Sequence, residues 1–451
     1  MEKPLSKDPE HLDTWQDKLL PYDFLLEKSR ETGFVKRFRK LNPVYLLYVL
    51  IFGVSSHGHP TFEEIYRRYI DFDANPKFLK SITIQSFKKR FNQSMVNFLS
   101  FLLEHYINEM ILECPAQLKN QATRFKDILI QDSSIIRLSQ KLAGDYPATR
   151  SRDNAAGLKI HAVYSARAHS VKTVEITGER VHDSKMLRIG REVKDVLIIN
   201  DLGYYSLKIF SRINQYRGFF VSRVKTNATP QVVSVVSGQI SKKFEKSLDD
   251  KNYPILSDFL KHVPKKGIYD LVCSFEIEKA QNRSNKIPII EDYRIVCFWN
   301  EKTSTWHVYI TNLSADKLTP AEIFELYKYR WIIELLFKEL KSDYDLGNLL
   351  LGNSPLAYIH IYSMLIRLII SRNLYFWILS SVEPDERKKY GPMLWSKVFA
   401  EKSNEFLSIL YQFMFGNRDV LERWNWLEKS LRHLAKSRHD KPRLSQRFTI
   451  F

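Results

Sequence analysis

The alternation of apolar and polar residues in the middle of the chain predicts a β-sheet interleaved with helices. Strands are predicted at residues 127–138, 156–166 and 170–177, followed by a helix at 183–194, a strand at 195–200, a helix at 205–215 and a strand at 218–224. Residues 195–200 form a short apolar run, typical of a strand buried on both faces. This order predicts a mixed α/β sheet with helices covering it.

The pattern changes after residue 228. Helical periodicity becomes scarce, and β-like runs occur at residues 269–277, 287–299 and 306–312 before a strong helix at 320–341. A connection between a strand and a helix normally takes a few residues. We therefore expect residues 229–318 to form a β-rich insertion.

Helical periodicity flanks this central region on both sides. In the N-terminal part it covers residues 43–54, 61–69 and 81–105, and it returns after residue 355. Thr61 and Glu64 have the spacing of a capping box, which starts a helix. Residues 83–92 alternate apolar residues with Gln, Ser, Lys and Arg, which suits either a recognition helix of a helix-turn-helix unit or an ordinary amphipathic helix.

The charge balance indicates a polyanionic partner. The chain carries 69 Lys and Arg residues against 51 Asp and Glu, a net charge of +18. Basic residues are concentrated at positions 36–40, 88–90 and 432–447. A surplus of this size favours nucleic acid before a membrane surface as the partner.

Other features argue against several classes of protein. The apolar stretch 358–382 is interrupted by Arg367, Arg372 and Asn373, so it is not a typical membrane span. The three cysteines have no paired spacing for zinc or a redox dithiol, and the N-terminus lacks the apolar core of a signal peptide. Glycine-rich phosphate loops are absent, so no nucleotide cofactor is expected. These features together predict a cytoplasmic protein.

Four polar residues lie on one face of the predicted helix 320–341. At about 100° per residue, Tyr327, Arg330, Glu334 and Lys341 share an arc of roughly 60° along about 21 Å of helix. Such a stripe is often a solvated face with surface ion pairs. It also suits a metal-binding carboxylate flanked by cations that hold a phosphodiester backbone.

Two aspartates complete a candidate metal site. Asp132 lies within the first predicted strand, where a charge is costly unless it is paired or bound to a metal. Asp201 follows the carboxyl end of the buried strand, where open α/β sheets place their sites. Each aspartate has an alternative role, as a hydrogen-bond acceptor at a strand end or as a helix cap. With Glu334 they outline a ribonuclease-H-like site for two divalent ions, as phosphodiester cleavage or transfer requires.

These motifs resemble those of the DDE transposases of insertion-sequence family four. Tyr327-x2-Arg330-x3-Glu334-x6-Lys341 matches the YREK signature of that family. The sequences IQDSS around Asp132 and DLGY from Asp201 are similar to its first and second catalytic-aspartate regions. The resemblance covers roughly residues 120–350 and includes the β-rich insertion.

The resemblance implies a cut-and-paste transposase that acts on double-stranded DNA, both terminal inverted repeats and target. Asp132, Asp201 and Glu334 would bind two Mg²⁺ or Mn²⁺ ions, and a homodimer would form on the DNA. Residues implied or predicted to contact DNA are Tyr327, Arg330, Lys341, Trp306, Lys88, Lys89 and Arg90.

Two of the implied roles have alternatives. A tryptophan placed like Trp306 would stack on a flipped base, which is worth about 1–3 kcal/mol, but an aromatic residue in a strand is usually part of a core. Trp299 is the alternative candidate for the base-stacking role. His182, in an HDS context, is expected to orient the start of a helix.

On this interpretation the chain has an α/β, ribonuclease-H-like mixed sheet with an inserted β-rich subdomain, flanked by helical N- and C-terminal regions. The predicted units are a flexible basic segment (1–42), a helical DNA-binding domain (43–120), the first part of the catalytic core (121–228), the insertion (229–318), the glutamate helix of the core (319–352) and a helical C-terminal region with a basic tail (353–451).

The alternatives are a catalytically silent DNA-binding protein derived from a transposase and a nuclease of the same fold. A glycosidase with two carboxylates would not need Arg330 and Lys341 in line with Glu334.

Overall fold

The structure is a computed structural model, and it describes eleven stretches of the chain. These are residues 20–36, 41–53, 61–72, 82–107, 116–149, 155–168, 170–280, 286–346, 348–349, 353–414 and 420–437. Of the basic clusters noted above, residues 37–40 and 438–447 lie outside the described residues, as does Cys114.

Ten strands within these residues form one mixed sheet. They are β1 (Asp127–Leu138), β2 (Ala156–Ser165), β3 (Ser170–Gly178), β4 (Val196–Asn200), β5 (Phe219–Arg223), β6 (Gln231–Ser237), β7 (Ile268–Ala280), β8 (Lys286–Asn300), β9 (Thr305–Thr311) and β10 (Asn348–Leu349). Their spatial order is β3-β2-β1-β4-β5-β9-β8-β7-β6, with β10 beside the far end of β1. The pairs β1–β4, β4–β5 and β1–β10 are parallel, and the remaining neighbours are antiparallel.

Helices precede, interrupt and follow the sheet. They are α1 (Tyr22–Glu31), α2 (Pro43–Phe52), α3 (Phe62–Phe72), α4 (Ile84–Lys88), α5 (Gln93–Tyr106), α6 (Ala116–Ala122), α7 (Leu207–Gln215), α8 (Lys242–Asp249), α9 (Leu256–His262), α10 (Pro320–Lys328), α11 (Trp331–Ser342), α12 (Ser354–Ser380), α13 (Pro392–Glu401), α14 (Ser403–Met414) and α15 (Val420–Leu434). The predicted class, a mixed α/β sheet with helical regions at both ends, is confirmed.

The insertion extends the sheet instead of standing apart from it. β9 returns antiparallel to β5, and β8, β7 and β6 follow in order. One apolar cluster joins β4, β5 and α7 to the insertion, with Phe210 stacked on Phe220 at 4.2 Å. The insertion also contains β6, α8 and α9, which the sequence pattern did not predict.

The two terminal helical regions share one core. All ten residues of α2 are buried, and α12 packs against α2 and α5. α12 is the one helix among the described residues that is long and apolar enough to cross a membrane, but 78% of its most apolar window is buried inside the protein. Its apolar residues are thus accounted for by the core that joins the two ends of the chain.

The N-terminal segment 1–42 was expected to be flexible, but its described part is ordered by packing. α1 lies within it, and Leu25 of that helix is fully buried. The Tyr48 hydroxyl on α2 donates a hydrogen bond to the Leu20 carbonyl at 2.9 Å. These contacts attach α1 to the helical core.

Three predicted helices are interrupted. Residues 81–105 form α4 and α5, because the Asn92 side chain caps a new helix by accepting from the backbone N–H groups of Ser94 and Met95. Residues 183–194 form two short 3-10 turns, Asp183–Met186 and Arg191–Val193, and Gly190 between them is extended. The segment 320–341 breaks at Tyr329 and Arg330, where i→i+3 hydrogen bonds tighten the chain between α10 and α11.

Candidate active site

The register of the sheet brings the two predicted aspartates together. β1 and β4 pair in parallel from Asp127 with Val196 up to Gln131 with Asn200. Asp132 and Asp201 are the next residues on the two strands, so they leave the paired region side by side. β4 ends there while β1 continues to its pairing with β10 at Arg137. The sheet therefore has an opening beside Asp132, at the carboxyl edge where α/β sheets place their sites.

Arg330 links all three predicted carboxylates. Its Nη1 donates to Asp132 Oδ2 at 3.0 Å, and its Nη2 donates to Glu334 Oε1 at 2.6 Å. Its Nε lies 3.7 Å from Asp201 Oδ1. The turn between α10 and α11 places Arg330 at this position, four residues before Glu334 on the same helical face. The predicted triad therefore converges around one guanidinium.

Burial makes Asp132 the least solvated of the three acids. Its side chain is 12% exposed, against 38% for Asp201 and 50% for Glu334. Burial raises the pKa of Asp132 to about 6, the positive charge of Arg330 opposes that rise, and the charges of Asp201 and Glu334 add to it. The guanidinium of Arg330 thus favours the ionised form of Asp132.

The other two residues of the helix stripe lie at the same site. Tyr327 is buried, and its hydroxyl donates to Asp201 Oδ1 at 3.4 Å. Burial raises the pKa of Tyr327, so it remains a hydrogen-bond donor at neutral pH. Lys341 is exposed and borders the same cavity as the three carboxylates. Neighbouring groups that desolvate the Lys341 ammonium, together with the nearby charge of Arg137, lower the pKa of Lys341 from its usual range.

These side chains open on a cavity of about 610 Å³. Its lining includes residues that the sequence analysis missed: Ser133, Ser134, Phe337, Lys338 and Ser342. The sequence spacing could have indicated Lys338 and Phe337 as site residues, because they lie four and three residues after Glu334 and so share its side of α11. Lys338 adds a second exposed cation to the rim beside Lys341.

The structure places Trp306 away from this cavity. Its indole N–H donates to the Leu260 carbonyl at 3.2 Å, and its ring packs edge-on against Tyr269 and Trp299 at 5.6 and 5.2 Å. Trp306, Tyr269 and Leu260 belong to the apolar cluster that joins the insertion to β4, β5 and α7. The base-stacking role of Trp306 stays a prediction, and its observed contacts are those of a packed aromatic residue.

Lys88, Lys89 and Arg90 lie where α4 ends and the turn to α5 begins. Lys88 pairs with Glu63 at 2.8 Å, and Lys89 and Arg90 are exposed. Residues 83–92 therefore do not form one continuous recognition helix.

His182 caps the 3-10 turn that follows it, as expected, since its Nδ1 accepts a hydrogen bond from the Ser184 backbone N–H at 3.2 Å.

The donor atoms suit a hard divalent cation. All three side chains offer carboxylate oxygens, the ligands that Mg²⁺ and Mn²⁺ prefer in proteins. Within the described residues no three Asp, Glu, His or Cys side chains are close enough together to hold a metal as they stand. The guanidinium of Arg330 lies among the carboxylates and supplies the positive charge there, so metal binding requires this ion-paired arrangement to change.

Comparison with known proteins decides the family. Residues 123–370 match the family model described as the transposase DDE domain, which is more than half of the chain. The chain belongs to this family. The DDE domain as matched runs from just before β1 into α12, and it contains Asp132, Asp201 and Glu334 together with the insertion. The predicted DDE transposase class is confirmed, while the assignment to insertion-sequence family four stays a prediction.

Several transposases of bacterial insertion sequences resemble the chain along most of its length. The transposase of IS231B from Bacillus thuringiensis subsp. berliner is 24% identical, over 78% of this chain and 77% of that protein. The transposase of IS231F from Bacillus thuringiensis subsp. israelensis is 22% identical, over 98% and 95%. The transposase of IS1151 from Clostridium perfringens is 24% identical, over 75% and 78%.

Among solved structures, the chain is similar to the piggyBac transposase in a synaptic complex with hairpin DNA. That similarity has a TM-score of 0.46 at 10% identity, over 97% of this chain and 87% of the other.

Proposed function

We propose that this protein is a cut-and-paste transposase that binds the terminal inverted repeats of an insertion sequence, cleaves its ends and joins them to target DNA. The observation that carries the proposal is the convergence of Asp132, Asp201 and Glu334 on Arg330 at an open cavity of the DDE domain. An aspartate within a strand, an aspartate at a strand end and a helical glutamate can supply the carboxylates that phosphodiester chemistry with divalent ions requires.

In this proposal the carboxylates hold two Mg²⁺ or Mn²⁺ ions. When bound, the ions would activate the attacking oxygen and stabilise the leaving one. The protein's own contribution is positional. Arg330 lies next to all three acids, and it can pair with a phosphate once it is released from them, since a guanidinium matches phosphate geometry. Lys338 and Lys341 on the rim provide positive charge for the backbone of a DNA end.

Tyr327 holds one of the aspartates in place. Its neutral hydroxyl donates to Asp201, and its ring lies 4.9 Å from that of Tyr309 on β9. The hydroxyl thus orients Asp201 from within the protein, while the aromatic contact keeps the tyrosine against the sheet.

A cleavage assay with matched variants tests the catalytic proposal. The substrate is an end-labelled duplex carrying the end of the cognate insertion sequence, incubated with Mg²⁺. Asp201→Asn and Glu334→Gln should bind this duplex as wild type does and fail to cleave it. The control is Asp195→Asn, at the other end of the same strand, where Asp195 has φ +60° and asparagine tolerates that conformation. It should cleave at the wild-type rate.

Two outcomes would overturn the proposal in different ways. Cleavage by Asp201→Asn at the wild-type rate would remove Asp201 from the site. Binding without cleavage by the wild type would identify a catalytically silent DNA-binding protein instead.

The remaining roles belong to the same proposal. Residues 43–120, with Lys88, Lys89 and Arg90, would recognise the terminal repeat, and two copies would assemble on DNA in the cytoplasm to join two ends. Light scattering gives the number of protein copies in the complex that cleaves a pair of DNA ends. A single copy in that complex would disprove the dimer.

The proposed role of Trp306 has its own assay. If Trp306 stacks on a flipped base, Trp306→Ala should lose hairpin products while first-strand nicking persists, and Trp306→Phe should retain them because its ring still stacks. If Trp306 is only a packed residue, Trp306→Ala should lower the melting temperature and reduce nicking and hairpins alike.

A further inference from the structure

A half-buried carboxylate outside the triad contacts both segments that carry the catalytic aspartates. Asp183 lies in the 3-10 turn Asp183–Met186, and its side chain is 19% exposed. Its Oδ1 accepts a hydrogen bond from the Ser133 hydroxyl at 3.0 Å. Ser133 directly follows Asp132 on β1, so this bond fixes Asp183 to the strand at the residue next to the first catalytic aspartate.

The same carboxylate packs against the turn that follows Asp201. A Cβ atom placed on Gly203 would lie 2.7 Å from Asp183 Oδ2, closer than real side chains approach. Gly203 belongs to the 3-10 turn Leu202–Tyr204, for which Asp201 is the N-cap residue. Glycine at this position lets the backbone after Asp201 come into direct contact with Asp183. One side chain therefore bridges the two segments.

A buried lysine balances the charge of Asp183. Lys159 on β2 is 8% exposed, and its Nζ donates to Asp183 Oδ1 at 3.0 Å and to the Val181 carbonyl at 3.0 Å. The second bond ties the lysine to the chain just before the Asp183 turn. Removal of either partner would leave a largely desolvated charge without its counterpart.

Neutral groups complete the surroundings of Asp183. His161 Nδ1 lies 3.7 Å from Asp183 Oδ1, and its Nε2 is 2.9 Å from the Thr177 hydroxyl. The Tyr204 hydroxyl lies 3.4 Å from His161 Nδ1, which connects the turn after Asp201 to β2. Lys159 is thus the cation that pairs with Asp183, and His161 and Tyr204 contact each other beside that pair.

We propose that Asp183 is a positioning residue that sets the separation of Asp132 and Asp201 and thereby the affinity of the active site for its divalent ions. The proposal rests on the proposed function, because it assumes that these aspartates bind metal. Residues that orient metal ligands in this way typically change metal affinity or activity by about 10- to 100-fold when they are mutated.

The test compares Asp183→Ala with Asp183→Asn. Alanine removes the acceptor for Ser133 and the partner of Lys159. Asparagine keeps the shape of the side chain and one of its oxygens but removes the charge. We expect the Mg²⁺ concentration for half-maximal cleavage to rise at least about tenfold in Asp183→Ala, with a smaller rise in Asp183→Asn. The affinity for the DNA end should stay at the wild-type value, because Asp183 does not line the cavity.

A second variant and a matched control separate positioning from folding. Gly203→Ala keeps the charge of Asp183 but displaces it from the turn, so it should also raise the metal requirement. The control is Asp270→Ala, which breaks a more deeply buried ion pair with Arg294 in the insertion. It should lower the melting temperature without changing the metal requirement. An equal change in Asp270→Ala and Asp183→Ala would overturn the proposal.

Direct titration with Mn²⁺ keeps this test independent of cleavage. Binding of Mn²⁺ to wild type, Asp183→Ala and Gly203→Ala is measured by electron paramagnetic resonance without DNA. Weaker binding in both variants supports the positioning role even if the wild type does not cleave, in which case the proposed function fails alone. Wild-type Mn²⁺ affinity in both variants would overturn the positioning role, whatever the cleavage result.

Discussion

The guanidinium of Arg330 donates a hydrogen bond to the carboxylate of Asp132 at 3.0 Å, although 198 positions separate the two residues in the chain. The same guanidinium binds Glu334 at 2.6 Å. Arg330 therefore neutralises acids that would otherwise repel one another at the edge of the sheet. Arg330 and a divalent ion would therefore compete for the same carboxylates.

Arg330→Ala should separate metal binding from catalysis. Without the guanidinium the carboxylates are free for a cation, so Mn²⁺ affinity should equal or exceed that of the wild type. Cleavage should fall by about 100-fold or more, the cost of losing one group that stabilises transition-state charge. Mn²⁺ titration and single-turnover cleavage measure the two effects.

Arg330→Lys is the matched variant, and it should not restore cleavage, because an ammonium lacks the planar fork of a guanidinium. Weaker Mn²⁺ binding in Arg330→Ala would contradict this account and would show that Arg330 shapes the metal site itself.

The two rim lysines should act through the DNA backbone. Each phosphate contact contributes about one unit to the slope of log K against log salt concentration. Lys341→Ala should reduce that slope by about 1, and the double variant with Lys338→Ala should reduce it by about 2, for any duplex sequence. Fluorescence anisotropy across a salt series provides the slopes.

Lys194 supplies the control for that series. It is exposed just before β4, at the opposite end of the strand from Asp201. Lys194→Ala should leave the slope unchanged. An equal loss in Lys194→Ala and Lys341→Ala would show that the surplus charge acts as a whole and not through the rim of the cavity.

A buried ion pair between Glu339 and Arg372 should stabilise the attachment of the glutamate helix. Glu339 on α11 is fully buried and Arg372 on α12 is 5% exposed. Arg372→Met should lower the free energy of unfolding by about 3–5 kcal/mol, because it leaves a buried carboxylate unpaired. The double variant Glu339→Leu with Arg372→Leu should recover most of this loss. Urea denaturation measures both.

An exposed ion pair is the comparison for that experiment. Lys28 and Glu31 on α1 pair at 2.8 Å, and Glu31 is 51% exposed. Lys28→Ala should lower the free energy of unfolding much less than Arg372→Met does, because surface ion pairs contribute little. If Arg372→Met costs no more than Lys28→Ala, the buried pair does not secure α11.

His161 should make stability depend on pH. Burial lowers the pKa of its imidazole to about 4 in the folded protein, from 6.5, while Asp183 opposes that change and Lys159 adds to it. Below pH 6.5 the unfolded chain binds a proton that the folded protein excludes. The stability contributed by neutral His161 is therefore complete above pH 6.5 and is lost as the pH falls toward 4.

The pKa difference corresponds to about 3 kcal/mol across that window. Unfolding of wild type and His161→Gln at pH 7.5 and 4.5 measures it. The variant should lose about 2–3 kcal/mol less than wild type between the two values. Equal losses would mean that other groups carry the acid sensitivity.

The strands of the core could be predicted from the sequence more closely than the helices. The predicted range 127–138 coincides with β1, because the β-branched isoleucines of this segment favour a strand through local interactions. The 3-10 turns that replace the predicted helix 183–194 depend on partners far away in the chain. Asp183 is held there by Ser133 and Lys159, and no periodicity reveals such contacts.

Local patterns in the amino-acid sequence indicate which residues can form the site. Asp132, Asp201 and Glu334 were identified because strand ends and a helical stripe restrict where carboxylates can be useful, and Arg372 indicated that the long apolar helix is not a typical membrane span. Tertiary structure decided how these residues meet. Only the parallel register of β1 and β4 sets Asp132 beside Asp201, and only the break between α10 and α11 brings Arg330 to all three acids. The physical reason is that hydrophobic periodicity is local, whereas register, ion pairing and burial depend on segments far apart in the chain.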